Sequence, residues 1–126
     1  MEPTSMDTDE FRTPEDLFES PDVAAVMFTR HWISDDACSL EIRGDLDIAI
    51  SGLLRQELDD LLALRIGRLD VDLSGVLFMD SSALSALVHA NETARQANQQ
   101  FNLLRPSPAC MKVLTITGLD HVFGLS

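Results

Sequence analysis

The stretch Asp72–Ala90, DLSGVLFMDSSALSALVHA, decides the fold. Its apolar first half changes at Asp80 into a segment whose apolar residues recur with helical spacing. Aspartate is a favoured N-cap residue, so Ser81 and Ser82 fall in the first turn of the predicted helix. Backbone N–H groups in the first turn lack intrahelical partners, and the N-terminus is the positive end of the helix dipole. A phosphate on either serine would therefore leave the helix folded.

The two serines are open to three interpretations: an ordinary helix start, a catalytic nucleophile or a phosphate acceptor. Taken alone, the residues favour the ordinary helix start. A nucleophile needs a base and an oxyanion hole, and the chain has neither a GxSxG elbow nor a suitably placed histidine. It also lacks the glycine-rich loops that bind nucleotides. We therefore expect no catalytic residue and no enzyme activity.

Working outward from this stretch, the remaining elements alternate between strands and helices. Strands are predicted at Ala25–Ser34, Cys38–Gly44, Leu69–Leu73 and FNLL (101–104), and helices after GDLDIAIS (44–51, with Ser51 as cap), after Asp80 and over SPACMKVLTITG (107–118). The order β-β-α-β-α-β-α predicts an α/β domain with a mixed β-sheet of about four to five strands covered by helices. Ser107 as cap, Pro108 at the first position and Gly118 past the end define the last helix.

A second loop carries polar side chains at an equivalent position, between a strand and the helix that follows it. GDLDIAIS places Gly44, Asp45 and Asp47 after a strand and before a helix, as Asp80 and Ser82 follow the next strand. Such loops often cluster at one end of an α/β sheet. We therefore expect Asp47 and Ser82 to share one end, although a solvated turn would give the same pattern.

Length and charge limit the classes of function. The chain has 126 residues, 45% of them hydrophobic, which suits one domain with a real core. Residues 1–22 hold eight acids and one base and are predicted to be a flexible tail, with the domain at 23–126. The net charge of −12 offers no basic face for nucleic acid. No apolar run reaches the ~18 residues of a membrane helix, so we expect no membrane contact and a cytoplasmic location.

Cysteine and histidine are sparse. Cys38 and Cys110 lie far apart without CxxC spacing and are expected to be reduced packing residues. A redox switch between them remains an alternative. The histidines at 31, 89 and 121 have no metal-ligand spacing, so no metal site is expected.

Three separated segments together resemble a known family. They are LEIRGDLDIAISGLLRQELDDLL, RLDVDLSGVLFMDSSALSALVHA and FNLLRPSPACMKVLTITGLDHVF. In this order they are similar to the STAS domain, and most of all to the stand-alone anti-sigma factor antagonists (anti-anti-sigma factors) of bacteria. The resemblance covers residues 25–126 and leaves the acidic tail outside.

The resemblance implies a phosphorylation-controlled binding protein with no cofactor and no catalysis of its own. The acceptor implied is Ser82, with Ser81 as the alternative. The implied partners are an anti-sigma factor with ATP-dependent serine kinase activity and a metal-dependent serine phosphatase. The unphosphorylated antagonist binds the anti-sigma factor and frees a sigma factor for transcription, as in a stress response. The phosphorylated form lets go, and the phosphatase resets it.

Particular residues follow from the same resemblance. Asp80 is expected to cap the helix and position Ser82, Asp47 to line the partner surface, and Ser81 and Ser85 to complete the contact face. The family often has glycine where this chain has Ala83, whose methyl would limit close approach by a kinase. If phosphorylation is inefficient, the alternative is a non-phosphorylated scaffold or sensor subunit of the same fold. That subunit could be redox-controlled through Cys38 and Cys110.

Overall fold

The described part of the chain contains seven elements in the predicted order β-β-α-β-α-β-α. The structure, a computed structural model, describes residues 26–125, and the predicted tail with its boundary at residue 22 lies outside this range. The elements are β1 (Met27–Ser34), β2 (Ala37–Leu46), α1 (Ile48–Ala63), β3 (Arg68–Met79), α2 (Ser81–Gln96), β4 (Gln100–Leu104) and α3 (Pro108–Thr117).

The strands form one mixed sheet in the order β1-β2-β3-β4. β1 and β2 are antiparallel and joined by a two-residue turn at Asp35 and Asp36, whereas β2, β3 and β4 are parallel. Parallel neighbours need crossover connections, which α1 and α2 supply. The α/β class and the mixed sheet are thus confirmed, with four strands among the described residues.

The two faces of the sheet differ in chemistry because side chains alternate along each strand. Residues on one face join the helices in a single apolar core; they include Cys38, Leu40, Ile42, Leu69, Val71 and Leu73 from the strands and Leu54, Leu58, Leu87, Cys110 and Leu114 from the helices. The other face carries Glu41, Asp70 and Asp72. Asp70 and Asp72 are less than a tenth exposed. Asn102 donates a hydrogen bond of 2.9 Å to Asp70, and Arg105 pairs with Asp72.

The last helix follows its sequence signals residue by residue. Ser107 is the N-cap of α3, and its hydroxyl accepts a hydrogen bond of 3.2 Å from the backbone N–H of Cys110. Pro108 takes the first helical position, where no N–H is needed. Gly118 ends the helix with φ of 75°, in the left-handed region that glycine adopts without strain.

Two local expectations were wrong. Asp47, not Ser51, caps α1: its carboxylate accepts a hydrogen bond of 3.2 Å from the N–H of Ile50, and the Ser51 hydroxyl donates back to the Ile48 carbonyl. β3 continues past Leu73 to Met79. The longer strand pairs with the end of β2, a contact between segments distant in sequence.

Candidate functional site

Parallel pairing of β2 and β3 brings the starts of α1 and α2 to one edge of the sheet. Leu46 and Met79 are paired, and the backbone N–H of Asp80 donates a hydrogen bond of 3.1 Å to the Leu46 carbonyl. Asp47 and Asp80, the N-caps of the two helices, therefore leave the sheet side by side. The sequence prediction that Asp47 and Ser82 share one end agrees with this arrangement.

One oxygen of Asp80 organises the first turn of α2. Asp80 Oδ1 accepts hydrogen bonds from the N–H of Ser82 at 3.0 Å and the N–H of Ala83 at 3.1 Å. The Ser82 hydroxyl donates to the same oxygen at 2.6 Å. The hydrogen bond from the Ser82 hydroxyl is the largest effect on the pKa of Asp80 and lowers it; burial opposes this, and the N–H groups of Ala83 and Ser82 lower the pKa further. Asp80 is thus an ionised cap that fixes the direction of the Ser82 hydroxyl.

The three serines of the predicted contact face differ in exposure. Ser81 and Ser85 are exposed, and Ser82 is half-buried. The Ser82 hydroxyl is therefore held in a defined position on a residue of intermediate exposure.

The Asp80 contacts change what a phosphate on Ser82 would meet. Asp80 is the N-cap that the sequence predicted, so the N–H groups of Ser82 and Ala83 are already bonded to its carboxylate. A phosphate on Ser82 would lose the hydroxyl's bond to Asp80 and add about −1.5 to −2 charge units beside that carboxylate. Like charges this close repel. Phosphorylation would therefore change the first turn of α2 as well as its surface charge.

Ala83 lies on the buried side of α2. Its side chain is 0% exposed and belongs to the apolar core beneath α2. The methyl that was expected to limit close approach to Ser82 therefore faces the core.

A groove runs from the start of α2 along its outer side. It has a volume of about 450 Å³ and is lined by Ser81, Leu84, Ser85, Val88, His89 and Leu119. At its far end, the guanidinium of Arg55 lies 3.3 Å from His89 Nε2. The groove could not be predicted from the sequence, because Leu119 lies in the turn after α3 and only the tertiary structure brings it to α2.

Exposed apolar side chains at the same edge were likewise not predicted from the sequence. Ile48 and Leu77 are each 76% exposed, and Phe78 is 49% exposed. The sequence shows an apolar run before Asp80, which by itself does not indicate which of its side chains are exposed. No periodicity in the chain signals that these side chains point outward.

The remaining sequence candidates lie apart from this edge or form no site. Cys38 and Cys110 are free thiols and fully buried, and burial raises the pKa of both. Within residues 26–125, no cluster of three or more His, Cys, Asp or Glu could hold a metal ion. No helix in the same range is long and apolar enough to cross a membrane.

Comparison with known proteins shows the family. Residues 30–125 match the family model described as "Mlab, STAS domain". The chain therefore belongs to the STAS domain family. It is 30% identical to a STAS-domain containing protein of Pseudomonas aeruginosa over 88 residues. The aligned residues cover 70% of this chain and 86% of the relative.

Two solved structures refine the likeness. An anti-sigma factor antagonist from Mycobacterium paratuberculosis is 25% identical with a TM-score of 0.72, covering 82% of this chain and 86% of that one. The phosphorylated form of the Bacillus cell fate determinant SpoIIAA has a TM-score of 0.63 at 20% identity, covering 75% of this chain and 86% of that one. The second comparison supports the fold alone.

Proposed function

We propose that this protein is an anti-sigma factor antagonist, a cytoplasmic binding protein without catalysis of its own. Its partner is an anti-sigma factor that is also an ATP-dependent serine kinase. The unphosphorylated protein binds the kinase and so frees a sigma factor for transcription, as in a stress response. The observation that carries the proposal is the hydroxyl of Ser82, a half-buried residue in the first turn of α2, which is oriented by a 2.6 Å hydrogen bond to Asp80.

Phosphorylation switches the binding off. In this step the Ser82 O–H bond is replaced by a bond to the γ-phosphorus of the kinase's ATP, ADP leaves and one proton is released. The new phosphate then faces Asp80 on its own chain and the nucleotide phosphates on the partner. This local repulsion separates the two proteins, and a serine phosphatase later hydrolyses the phosphate.

The neighbouring residues have supporting roles in the proposal. Asp80 positions the Ser82 hydroxyl for transfer. Ser81 and Ser85, both exposed on α2, and Asp47 on the adjacent helix start contribute to the contact surface. Ser81 is the alternative acceptor, because it shares the first turn and is more exposed than Ser82.

The test combines phosphorylation with binding. The purified kinase and ATP are added to wild type, Ser82→Ala and Ser81→Ala, and the phosphate is located by mass spectrometry. We expect one phosphate on the wild type and none on Ser82→Ala. Binding measured without ATP should be unchanged in Ser82→Ala and weakened at least about tenfold in Ser82→Asp, a change of about 1.4 kcal/mol.

Ser85→Asp is the matched control. It places the same charge one turn further along α2, away from Asp80, and should weaken binding less than Ser82→Asp does. If neither Ser82 nor Ser81 accepts phosphate and Ser82→Asp binds like wild type, the proposal is wrong.

A second candidate function is a STAS subunit that works in a larger assembly without phosphorylation. The observation in its favour is that the matching family model is described by Mlab rather than by an antagonist. Copurification of a stable complex that lacks any sigma regulator, unchanged in Ser82→Asp, would support this candidate. Control through Cys38 and Cys110 is disfavoured, because both thiols are buried.

A further inference from the structure

Three large apolar side chains remain exposed at the sheet edge that carries Ser82. Ile48 is the first residue of α1, and Leu77 and Phe78 precede Asp80 at the end of β3. Phe78 is paired with Asp45 of β2, next to the pair formed by Leu46 and Met79. We refer to Ile48, Leu77 and Phe78 as the apolar edge.

A shift in the register between β2 and β3 exposes the residues of the apolar edge that lie on β3. Gly44 pairs with Val76, whereas the next residue, Asp45, pairs with Phe78, so β3 has one additional residue at this point. As a result Val76 and Met79 are buried, while both residues between them are exposed. Bulges of this kind redirect side chains and are frequent beside functional sites.

Three carboxylates, those of Asp45, Asp47 and Asp80, border the apolar edge. Arg43 of β2 is paired with Gly75, two residues before Leu77, but its guanidinium donates a hydrogen bond of 2.9 Å to Glu41. The border is therefore acidic overall. An acidic border of this kind is unfavourable against anionic lipid. It complements a protein surface in which basic side chains surround an apolar pocket.

We propose that the apolar edge is the energetic anchor of the interface with the anti-sigma factor, which presents an apolar pocket bordered by Lys and Arg. This inference rests on the proposed function. Burial of Ile48, Leu77 and Phe78 supplies most of the affinity and slows dissociation. Asp45 and Asp47 attract the basic border and speed association, while Ser82 faces the nucleotide.

The test measures binding rates of the purified kinase without ATP. Leu77→Ser and Ile48→Ser should each weaken binding about tenfold or more, mainly through faster dissociation. Leu64→Ser is the matched control, because Leu64 is 54% exposed but lies at the opposite end of α1. It should stay within about twofold of wild type. Asp45→Asn should lower the association rate and reduce its dependence on salt.

The outcomes separate this inference from the function on which it rests. If wild type binds and is phosphorylated on Ser82, but Leu77→Ser and Ile48→Ser bind like Leu64→Ser, the inference is wrong and the proposed function stands. If wild type does not bind the kinase, both fail. Cosedimentation of wild type with phosphatidylglycerol vesicles, lost in Leu77→Ser, would assign the apolar edge to a lipid surface and also overturn the inference.

Discussion

At the scale of single residues, Asp80 does the work of a cap and of a positioning group through one oxygen. Two backbone N–H groups and the Ser82 hydroxyl all donate to Oδ1. An anion is favourable at a helix N-terminus because of the unpaired N–H groups and the helix dipole. The same interactions lower the pKa of Asp80, the Ser82 hydroxyl most of all.

Asp80→Asn tests this cap through pH. Because the pKa of Asp80 is lower in the folded state than in the unfolded state, its contribution is present above the unfolded pKa of about 3.9 and is lost as pH falls through the folded value. Wild type should be more stable than Asp80→Asn by about 0.5 kcal/mol at pH 7, since asparagine keeps the cap but not the charge. Urea unfolding at pH 7, 5 and 3 should show the same difference at pH 7 and 5 and a smaller one at pH 3. A difference independent of pH would contradict the role of the charge.

Asp72 is a second carboxylate whose state depends on its neighbours. Burial by itself raises the pKa of Asp72, but the N–H of Ser74 at 3.0 Å and the guanidinium of Arg105 outweigh it and lower the pKa. Arg105→Met leaves this buried carboxylate without its ion-pair partner and should destabilise the fold by about 1–3 kcal/mol at pH 7, measured by urea unfolding. Arg95→Met on the exposed side of α2 is the control and should change stability negligibly.

At the scale of elements, two glycines occupy different backbone conformations, one at the end of a helix and one inside a helix. Gly118 has φ of 75° after α3, and Gly52 lies inside α1; a Cβ added at either would meet nothing within 4 Å. The two positions therefore differ in backbone conformation without any difference in crowding.

Alanine at these two glycines should have opposite effects. Gly118→Ala forces a side chain into the left-handed region and should destabilise the protein by about 1 kcal/mol. Gly52→Ala should stabilise it by about 0.5–1 kcal/mol, because alanine is the better helix former. Thermal unfolding of both variants beside wild type checks the signs. Equal effects would mean that packing, and not φ, governs these positions.

At the scale of the whole molecule, the core isolates both thiols. Cys38 on β2 and Cys110 on α3 are 0% exposed, and desolvation raises the pKa of each. The reactive form of cysteine is the thiolate. Both residues are therefore protected from reaction, because reagents cannot reach the buried sulfur and because the raised pKa disfavours the thiolate.

Thiol labelling tests this protection. We expect a thiol reagent such as dithionitrobenzoate to react with the native protein only as fast as it unfolds, and with both thiols at once in urea. Stability should be the same under reducing and mildly oxidising conditions. Rapid labelling of the native state would contradict this protection and would support the alternative of a redox-controlled STAS subunit.

The sequence by itself determined the elements whose signals are local. Ser107, Pro108 and Gly118 define α3 because capping and left-handed backbone depend on adjacent residues only. Alternation of apolar side chains revealed β2 and the core of β3 for the same reason. The family likeness of the segments around Asp47 and Ser82 could also be predicted, because those residues stand in motifs of fixed spacing.

Only the tertiary structure decided what depends on pairing between distant segments. The extension of β3 to Met79 and the outward turn of Leu77 require the register with β2. The cap of α1 is Asp47 because the preceding Leu46 ends the paired strand, a boundary that the helical pattern alone does not show. Packing between distant segments also determines three further features: the exposure of Ile48, the burial of Ala83 and the pairing of Asp72 with Arg105. Local propensity acts over a few residues, whereas burial is set by neighbours that the sequence separates.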